Sequence, residues 1–385
     1  MTSIAITNGR VLVPGSGLAD AEIRIEDGLI VDLADSVSRA AATVIDARGC
    51  FVLPGIVDIH GDAFERQIMP RPNASFPLAL AFVETDRQLC ANGITTAYHG
   101  ISVSWEPGLR SLATAQQIVD TLDLLEDRLA CDHRIHIRWE TFAHAEIATV
   151  IRWFERARKP LLAFNDHTTA SLNGARAPSK IRTSADRASV TSDEYVDLLR
   201  QAAKRGPAVD DAIDDVARIA RAKGIRMLSH DDTTAAGRNF YRTIGAEIAE
   251  FPMTQEAIAN AGESGDPIVL GAPNVVRGGS HNGCLDATSA IVSGQCNILA
   301  SDYYYPTLLH AAFRLVKDGH LHLEEAWKFI SQSPAEACGL GDRGHLQTGK
   351  RADVIVVPSV GTELPAVQTT IVNGRIVFQA WGAAR

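Results

Sequence analysis

The sequence predicts an α/β protein: a TIM-type (β/α)8 barrel with a small β-sandwich domain built from both termini. Three observations carry this. Short apolar runs alternate with helical patterns through the middle of the chain, as parallel sheets with helical crossovers require. Two of those runs, far apart in sequence, end in ligand-grade residues: Val52-Leu-Pro-Gly-Ile-Val-Asp-Ile59 leads into His60-Gly-Asp62, and Asn297-Ile-Leu-Ala-Ser301 leads into Asp302. Both ends of the chain read as short strands broken by Asn-Gly and Asp-Gly turns.

In chain order, residues 1–53 give the N-terminal part of the β domain. Ile4-Ala-Ile-Thr precedes Asn8-Gly9 and Arg10-Val-Leu-Val, and Ala21-Glu-Ile-Arg-Ile-Glu precedes Asp27-Gly28 and Leu29-Ile-Val-Asp-Leu; each pair reads as a hairpin. Residues 345–385 mirror this with Asp353-Val-Ile-Val-Val-Pro and Thr369-Thr-Ile-Val-Asn-Gly-Arg-Ile-Val-Phe. The barrel is expected over 54–344. Its strands fall at 55–60, 95–99, 134–140, 161–166, 225–230, 246–250, 267–270 and 297–302, with helical patterns at 78–91, 113–129, 145–158, 192–204 and 209–223. A doubly wound sheet is the structural alternative.

Barrel enzymes place chemistry at the C-terminal ends of their strands. Those ends carry His60 and Asp62, His99, Glu140, Asp166 and His167, His230 with Asp231 and Asp232, Glu250, and Asp302. Singly, such residues are usually surface groups or satisfied core polars. Seven of eight strand ends bearing one is a different matter. Imidazoles and carboxylates together bind Zn²⁺, Mn²⁺ or Fe²⁺ and leave a position for water. On the third strand, His136, Arg138 and Glu140 share one face and Ile135, Ile137 and Trp139 the other. A polar inward face is costly unless paired or liganded, so it reads as a polar axis leading to a metal-bound Glu140, or else as a salt-bridged edge.

After the seventh strand, Gly271-Ala-Pro-Asn-Val-Val-Arg-Gly-Gly-Ser-His-Asn-Gly283 offers glycine backbone and the side chains of Arg277, Ser280 and His281 as phosphate donors. The basic segment 173–187, with Arg176, Lys180, Arg182 and Arg187, reads as a solvated loop more readily than as a substrate contact. His133, His144, His310, His320, His322 and His345 lie off the strand ends and read as surface or helix residues.

The 385 residues are 46% hydrophobic and 22% charged, an ordinary globular balance, and the net charge of −9 gives no basic footprint for nucleic acid. The six cysteines are scattered without a C-x-x-C pair and read as reduced thiols of a cytoplasmic protein. No signal peptide and no membrane span is expected. A small anionic phosphorylated substrate would have to be met by local Arg, Lys or metal, and the chain is expected to form a homo-oligomer.

The chain resembles the amidohydrolase superfamily. Leu53-Pro-Gly-Ile-Val-Asp-Ile-His60 and the return Gly349-Lys-Arg-Ala-Asp-Val354 carry that likeness. More specific are His136-Ile-Arg-Trp-Glu140, Asp166-His167, Ser229-His-Asp-Asp-Thr233, Ile248-Ala-Glu-Phe-Pro252 and the Gly-Gly-Ser-His281 loop. They resemble the branch that hydrolyses α-D-ribose 1-methylphosphonate 5-triphosphate to the 5-phosphate and pyrophosphate in phosphonate catabolism. The resemblance implies two divalent metals, zinc first, with manganese or iron as alternatives. It implies His60, Asp62, Glu140, His167, His230 and Asp302 as ligands, and Asp302 as the catalytic group that deprotonates water. Arg277, Ser280 and His281 would bind phosphate or phosphonate, and Asp231 or Asp232 the ribose hydroxyls or the second metal. One stretch departs: that branch continues Gly-Gln-Arg-Gln-Phe after Asp-His, where this chain has Thr168-Thr-Ala-Ser-Leu. A paralogue hydrolysing a C–N bond, as a deaminase or cyclic-amide hydrolase, is the alternative enzyme. A metal-stabilised, non-catalytic subunit is the alternative from another class.

Overall fold

The computed structural model describes residues 3–40, 42–172, 178–279, 286–360 and 364–380. Eight parallel strands form one sheet: β1 (Ile56–Gly61), β2 (Ile94–Val103), β3 (Asp132–Glu140), β4 (Leu161–Asn165), β5 (Arg226–His230), β6 (Ile248–Glu250), β7 (Ile268–Gly271) and β8 (Ile298–Ala300). Each pairs with its neighbour in sequence, so the sheet is singly wound and not doubly wound. The ring closes at a parallel bridge between Gly61 and Asp302. There the Asp302 N–H donates to the His60 carbonyl at 2.9 Å and the Asp62 N–H to the Asp302 carbonyl at 2.8 Å.

Alternation along the strands sorts the side chains. Ile59, Tyr98, Leu161, Ala163, Leu228, Ile248, Val269 and Ile298 pack against one another inside the ring. Ile135, Ile137 and Trp139 of β3 point the other way, into a core shared with Ile118, Leu122, Val150 and Trp153 of the surrounding helices. Helix Val209–Ala222 shows why the crossovers are helical: Val209, Ile213, Val216, Ala217 and Ala220 fall on one buried stripe at 3.6-residue spacing. Each large apolar side chain so buried contributes roughly 1.5–3 kcal/mol. Helix Ser192–Ala203 starts where Thr191 and Glu194 form a reciprocal capping box. Among the described residues, no helix is long and apolar enough to cross a membrane.

Both termini build the flanking sheets. Cys50–Pro54, which leads directly into β1, pairs antiparallel with Val354–Pro358. Thr369–Val372 and Arg375–Gln379 form the expected hairpin beyond it. Glu22–Glu26 and Leu29–Ala34 form a hairpin around Asp27-Gly28, also as expected. The Asn8-Gly9 hairpin does not form. Ser3–Thr7 pairs with Glu22–Glu26 and Thr43–Asp46, whereas Arg10–Val13 pairs with Gly17–Asp20 and Cys50–Pro54 in the other sheet. Asn8-Gly9 is therefore a crossing between two packed sheets. A Cβ on Gly9 would lie 2.6 Å from Val52 Cγ2 and 2.9 Å from Ala47 Cβ, so the glycine serves close approach. The local turn signal was real, but packing decided where the chain went after it.

Candidate metal centre

Strand β6 contributes one side chain that organises the site. Glu250 is 0% exposed and accepts from two imidazoles, His60 Nδ1 at 2.8 Å and His230 Nδ1 at 2.7 Å. Burial alone would push this carboxyl up; His60 and His136 instead hold it well below its ordinary range. Burial works against a charged His60, and Glu250 outweighs it, leaving His60 above its usual value. With Nδ1–H committed to Glu250, each ring turns its Nε2 lone pair towards the mouth, that of His230 meeting Arg138 Nη2 at 3.3 Å. This is the arrangement by which a carboxylate fixes the tautomer and orientation of ligating histidines. Gly100 of β2 keeps space for it: a Cβ there would sit 3.2 Å from His60 Nε2 and 3.1 Å from Arg138 Cδ.

The barrel seam supplies the carboxylates. One ligand atom each from His60, Asp62 and Asp302 lies within 4.8 Å of the others. Burial raises the Asp302 carboxyl to about 6, and the nearby Asp62 adds to the shift. Asp62 moves the other way: burial opposes its charge, but Arg138 and Arg110 lower it. Asp231 and Phe251 follow directly on strand ends and Asp302 lies two residues beyond β8, with φ of 61°, 53° and 54°. Left-handed backbone is unusual for such residues and clusters at functional sites. Here it turns the chain sharply at the mouth and stacks Phe251 edge-on against His60 and His230, with ring centroids 5.0 and 5.5 Å away.

A second group lies across the mouth, where His167, His230 and Asp231 also bring ligand atoms within 4.8 Å of one another. Glu140 stands beside this group and enters no three-residue ligand group among the described residues. Its carboxylate caps helix His167–Leu172, accepting from the backbone N–H of His167 and Thr168 at 3.1 Å each and from Thr168 Oγ1 at 2.6 Å. Burial raises it to about 7. His167 Nδ1 is 3.4 Å from Glu140 Oε2, so the two expected ligands stand in contact with each other. Thr168, in the stretch that departs from the resembled branch, is locked in turn by Trp105 Nε1 at 2.9 Å.

The remaining predicted residues divide. Asp232 is buried against Ser229 and Arg238, on the side of β5 away from the Glu250 contact. Arg277 is exposed at the end of helix Ala272–Arg277, which occupies much of the expected glycine-rich loop. Ser280 and His281 lie outside the described residues. The expected basic loop also changes: 178–188 is helical, and Arg187 pairs with Glu106 at 2.9 Å. His99 is not at a strand tip, because β2 continues to Val103. His133 is not a surface residue; it is buried and bonded to His99 and Asp86. Glu250 was visible as a strand-end carboxylate without a role, and its role depends on partners 190 and 20 residues away.

The donor set fits a divalent ion. It holds imidazole nitrogens and carboxylate oxygens with no thiolate, and His136 Nε2 is buried beside it without a hydrogen-bond partner. A closed barrel with such a set at its C-terminal mouth defines a metal-dependent barrel hydrolase. The amidohydrolase family model matches residues 304–378. The α-D-ribose 1-methylphosphonate 5-triphosphate diphosphatase of Escherichia coli (strain K12) is 30% identical over 359 residues, covering 91% of this chain and 94% of the relative. The chain therefore belongs to the amidohydrolase family. A dihydroorotase of Syntrophotalea carbinolica is 47% identical over 58 residues, 15% of this chain and 14% of that protein. Among solved structures, N-isopropylammelide isopropylaminohydrolase from Burkholderia multivorans superposes with a TM-score of 0.65 at 18% identity, covering 98% of each chain. That likeness concerns the fold.

Proposed function

We propose that this enzyme hydrolyses α-D-ribose 1-methylphosphonate 5-triphosphate to the 5-phosphate and pyrophosphate in phosphonate catabolism. The observation that carries the reading is the pair of ligand groups joined through Glu250 at one barrel mouth, in a chain that aligns with the E. coli diphosphatase over nearly its full length. His60, Asp62 and Asp302 would hold one ion, and His167, His230 and Asp231 a second, with Glu140 orienting His167. The imidazole-carboxylate set favours zinc, with manganese or iron as substitutes. Such ions, when bound, would supply a lowered pKa of water, towards about 7, and polarisation of a phosphoryl oxygen.

The chain's own residues do the rest. Asp302 takes a proton from the attacking water and returns it to the departing pyrophosphate. Glu250 keeps His60 and His230 in the tautomer that faces the mouth. Arg277, Ser280 and His281 are candidates for the outer phosphates or the phosphonate. The free thiols among the described residues fit a cytoplasmic enzyme, and a homo-oligomer is the working expectation.

A second reading, hydrolysis of a C–N bond, draws support from the short dihydroorotase matches. Metal-loaded enzyme assayed side by side for pyrophosphate and for ammonia or ring opening separates the two. Stoichiometric pyrophosphate is expected; ammonia or ring opening without pyrophosphate overturns the first reading.

A further inference from the structure

Three arginines are buried among the described residues: Arg138, Arg238 and Arg343. Two have close carboxylate partners, Arg238 with Asp266 at 2.9 Å and Arg343 with Asp132 at 2.7 Å. The two half-buried arginines near the mouth do as well, Arg110 with Glu65 and Arg187 with Glu106, both at 2.9 Å. Arg138 is different. It is 7% exposed, its Nη1 stands 3.4 Å from Asp62 and its Nη2 3.3 Å from His230 Nε2, and its Nε is buried without a partner.

Both long contacts are to atoms of the candidate ligand groups. The His230 Nε2 lone pair is the one a cation would use, and Asp62 belongs to the other group. A buried guanidinium left with one weak carboxylate contact is costly, because it carries five donors and cannot deprotonate.

We propose that Arg138 binds the anionic oxygens of the phosphoryl group under attack, and so is a catalytic residue that selects phosphoanhydrides over neutral substrates. This rests on the phosphoanhydride reading above. Its position on the inward face of β3, between the two ligand groups, puts the guanidinium fork where charge grows as the P–O bond breaks. A planar fork matches two phosphoryl oxygens at once, which an ammonium does not.

The test compares zinc-loaded wild type with Arg138→Met and Arg138→Lys, with Arg138→Ala added for chemical rescue, measuring zinc content, tripolyphosphate binding by calorimetry, and pyrophosphate release from the ribose 5-triphosphate. Zinc content is expected to match wild type in both variants. Arg138→Met should lower kcat by about 10²–10³-fold and weaken tripolyphosphate binding by about tenfold or more; Arg138→Lys should fall between, and guanidinium chloride should restore part of the activity of Arg138→Ala. Unchanged kcat and affinity in Arg138→Met overturns the proposal. So does loss of zinc in both variants, which would assign the guanidinium to holding the ligands. If wild type releases no pyrophosphate yet binds tripolyphosphate through Arg138, the substrate reading fails and the anion site stands.

Discussion

Two buried histidine-carboxylate clusters flank β2 and β3, and they are wired in opposite ways. In the barrel, Glu250 accepts from the Nδ1–H of His60 and of His230, so both Nε2 atoms face the mouth, that of His230 3.3 Å from Arg138 Nη2. Outside it, Asp86 of helix Leu78–Ala91 accepts from His133 Nε2 at 3.0 Å, and His133 Nδ1 in turn meets His99 Nε2 at 2.8 Å. That second chain runs inward to a dead end: the His99 ring lies edge-on to Phe64 and Phe82, with centroids 5.3 and 5.4 Å away. Asp86 also accepts from the backbone N–H of Ala130 and Cys131, so it ties helix to strand. The same residue types therefore make a candidate ligand platform in one place and a structural staple in the other. What separates them is which ring nitrogen the carboxylate occupies and whether carboxylates such as Asp62 and Asp302 stand nearby.

The largest contrast should come from the carboxylate that exists on the barrel side alone. Asp302→Asn is expected to lower kcat by about 10²–10⁴-fold, measured as pyrophosphate release with saturating zinc; near-normal turnover would remove Asp302 from proton transfer. Glu250→Gln is expected next, weakening zinc affinity by about 10–100-fold, read by competition with a chelator. If zinc affinity survives, the platform role is wrong. The staple should behave otherwise: Asp86→Asn should cost about 1–3 kcal/mol of stability in denaturant melts while zinc content and kcat stay near wild type. Loss of zinc there would erase the distinction between the clusters.

The smallest effect concerns protons. Folding raises Asp302 from 3.8 to about 6 and Glu140 from 4.5 to about 7, so the metal-free folded protein binds protons that the unfolded chain has released. That contribution to stability is complete below the unfolded values and disappears as pH rises through about 6 and 7. Zinc binding requires the deprotonated carboxylate and should release protons near pH 6. Titration calorimetry in buffers of different ionisation enthalpy should show this, and Asp302→Asn should diminish it. No buffer dependence would contradict the shift assigned to Asp302.

The barrel was legible because periodicity is local: each expected strand segment contains a strand, and the inward face of His136, Arg138 and Glu140 follows from two-residue alternation. Candidate ligands were legible as strand-end types. Partners were not. Whether Glu140 meets a cation or caps the helix after His167 depends on Thr168 and on how β3 and β4 align. His133 looked peripheral because its partners, Asp86 and His99, belong to different elements. Asn8-Gly9 misled for the same reason, since the strand after it pairs with Gly17–Asp20 and Cys50–Pro54 in one sheet while Ser3–Thr7 pairs in the other.

The bridge between Gly61 and Asp302 has a consequence for biosynthesis. The amides and carbonyls that lock the first and last strands together belong to His60, Asp62 and Asp302 themselves. A ribosome releases the first two long before the third, so a nascent or truncated chain cannot assemble a competent cation cradle. The group of His60, Asp62 and Asp302 is thus complete only once synthesis has passed the eighth strand and the ring has shut.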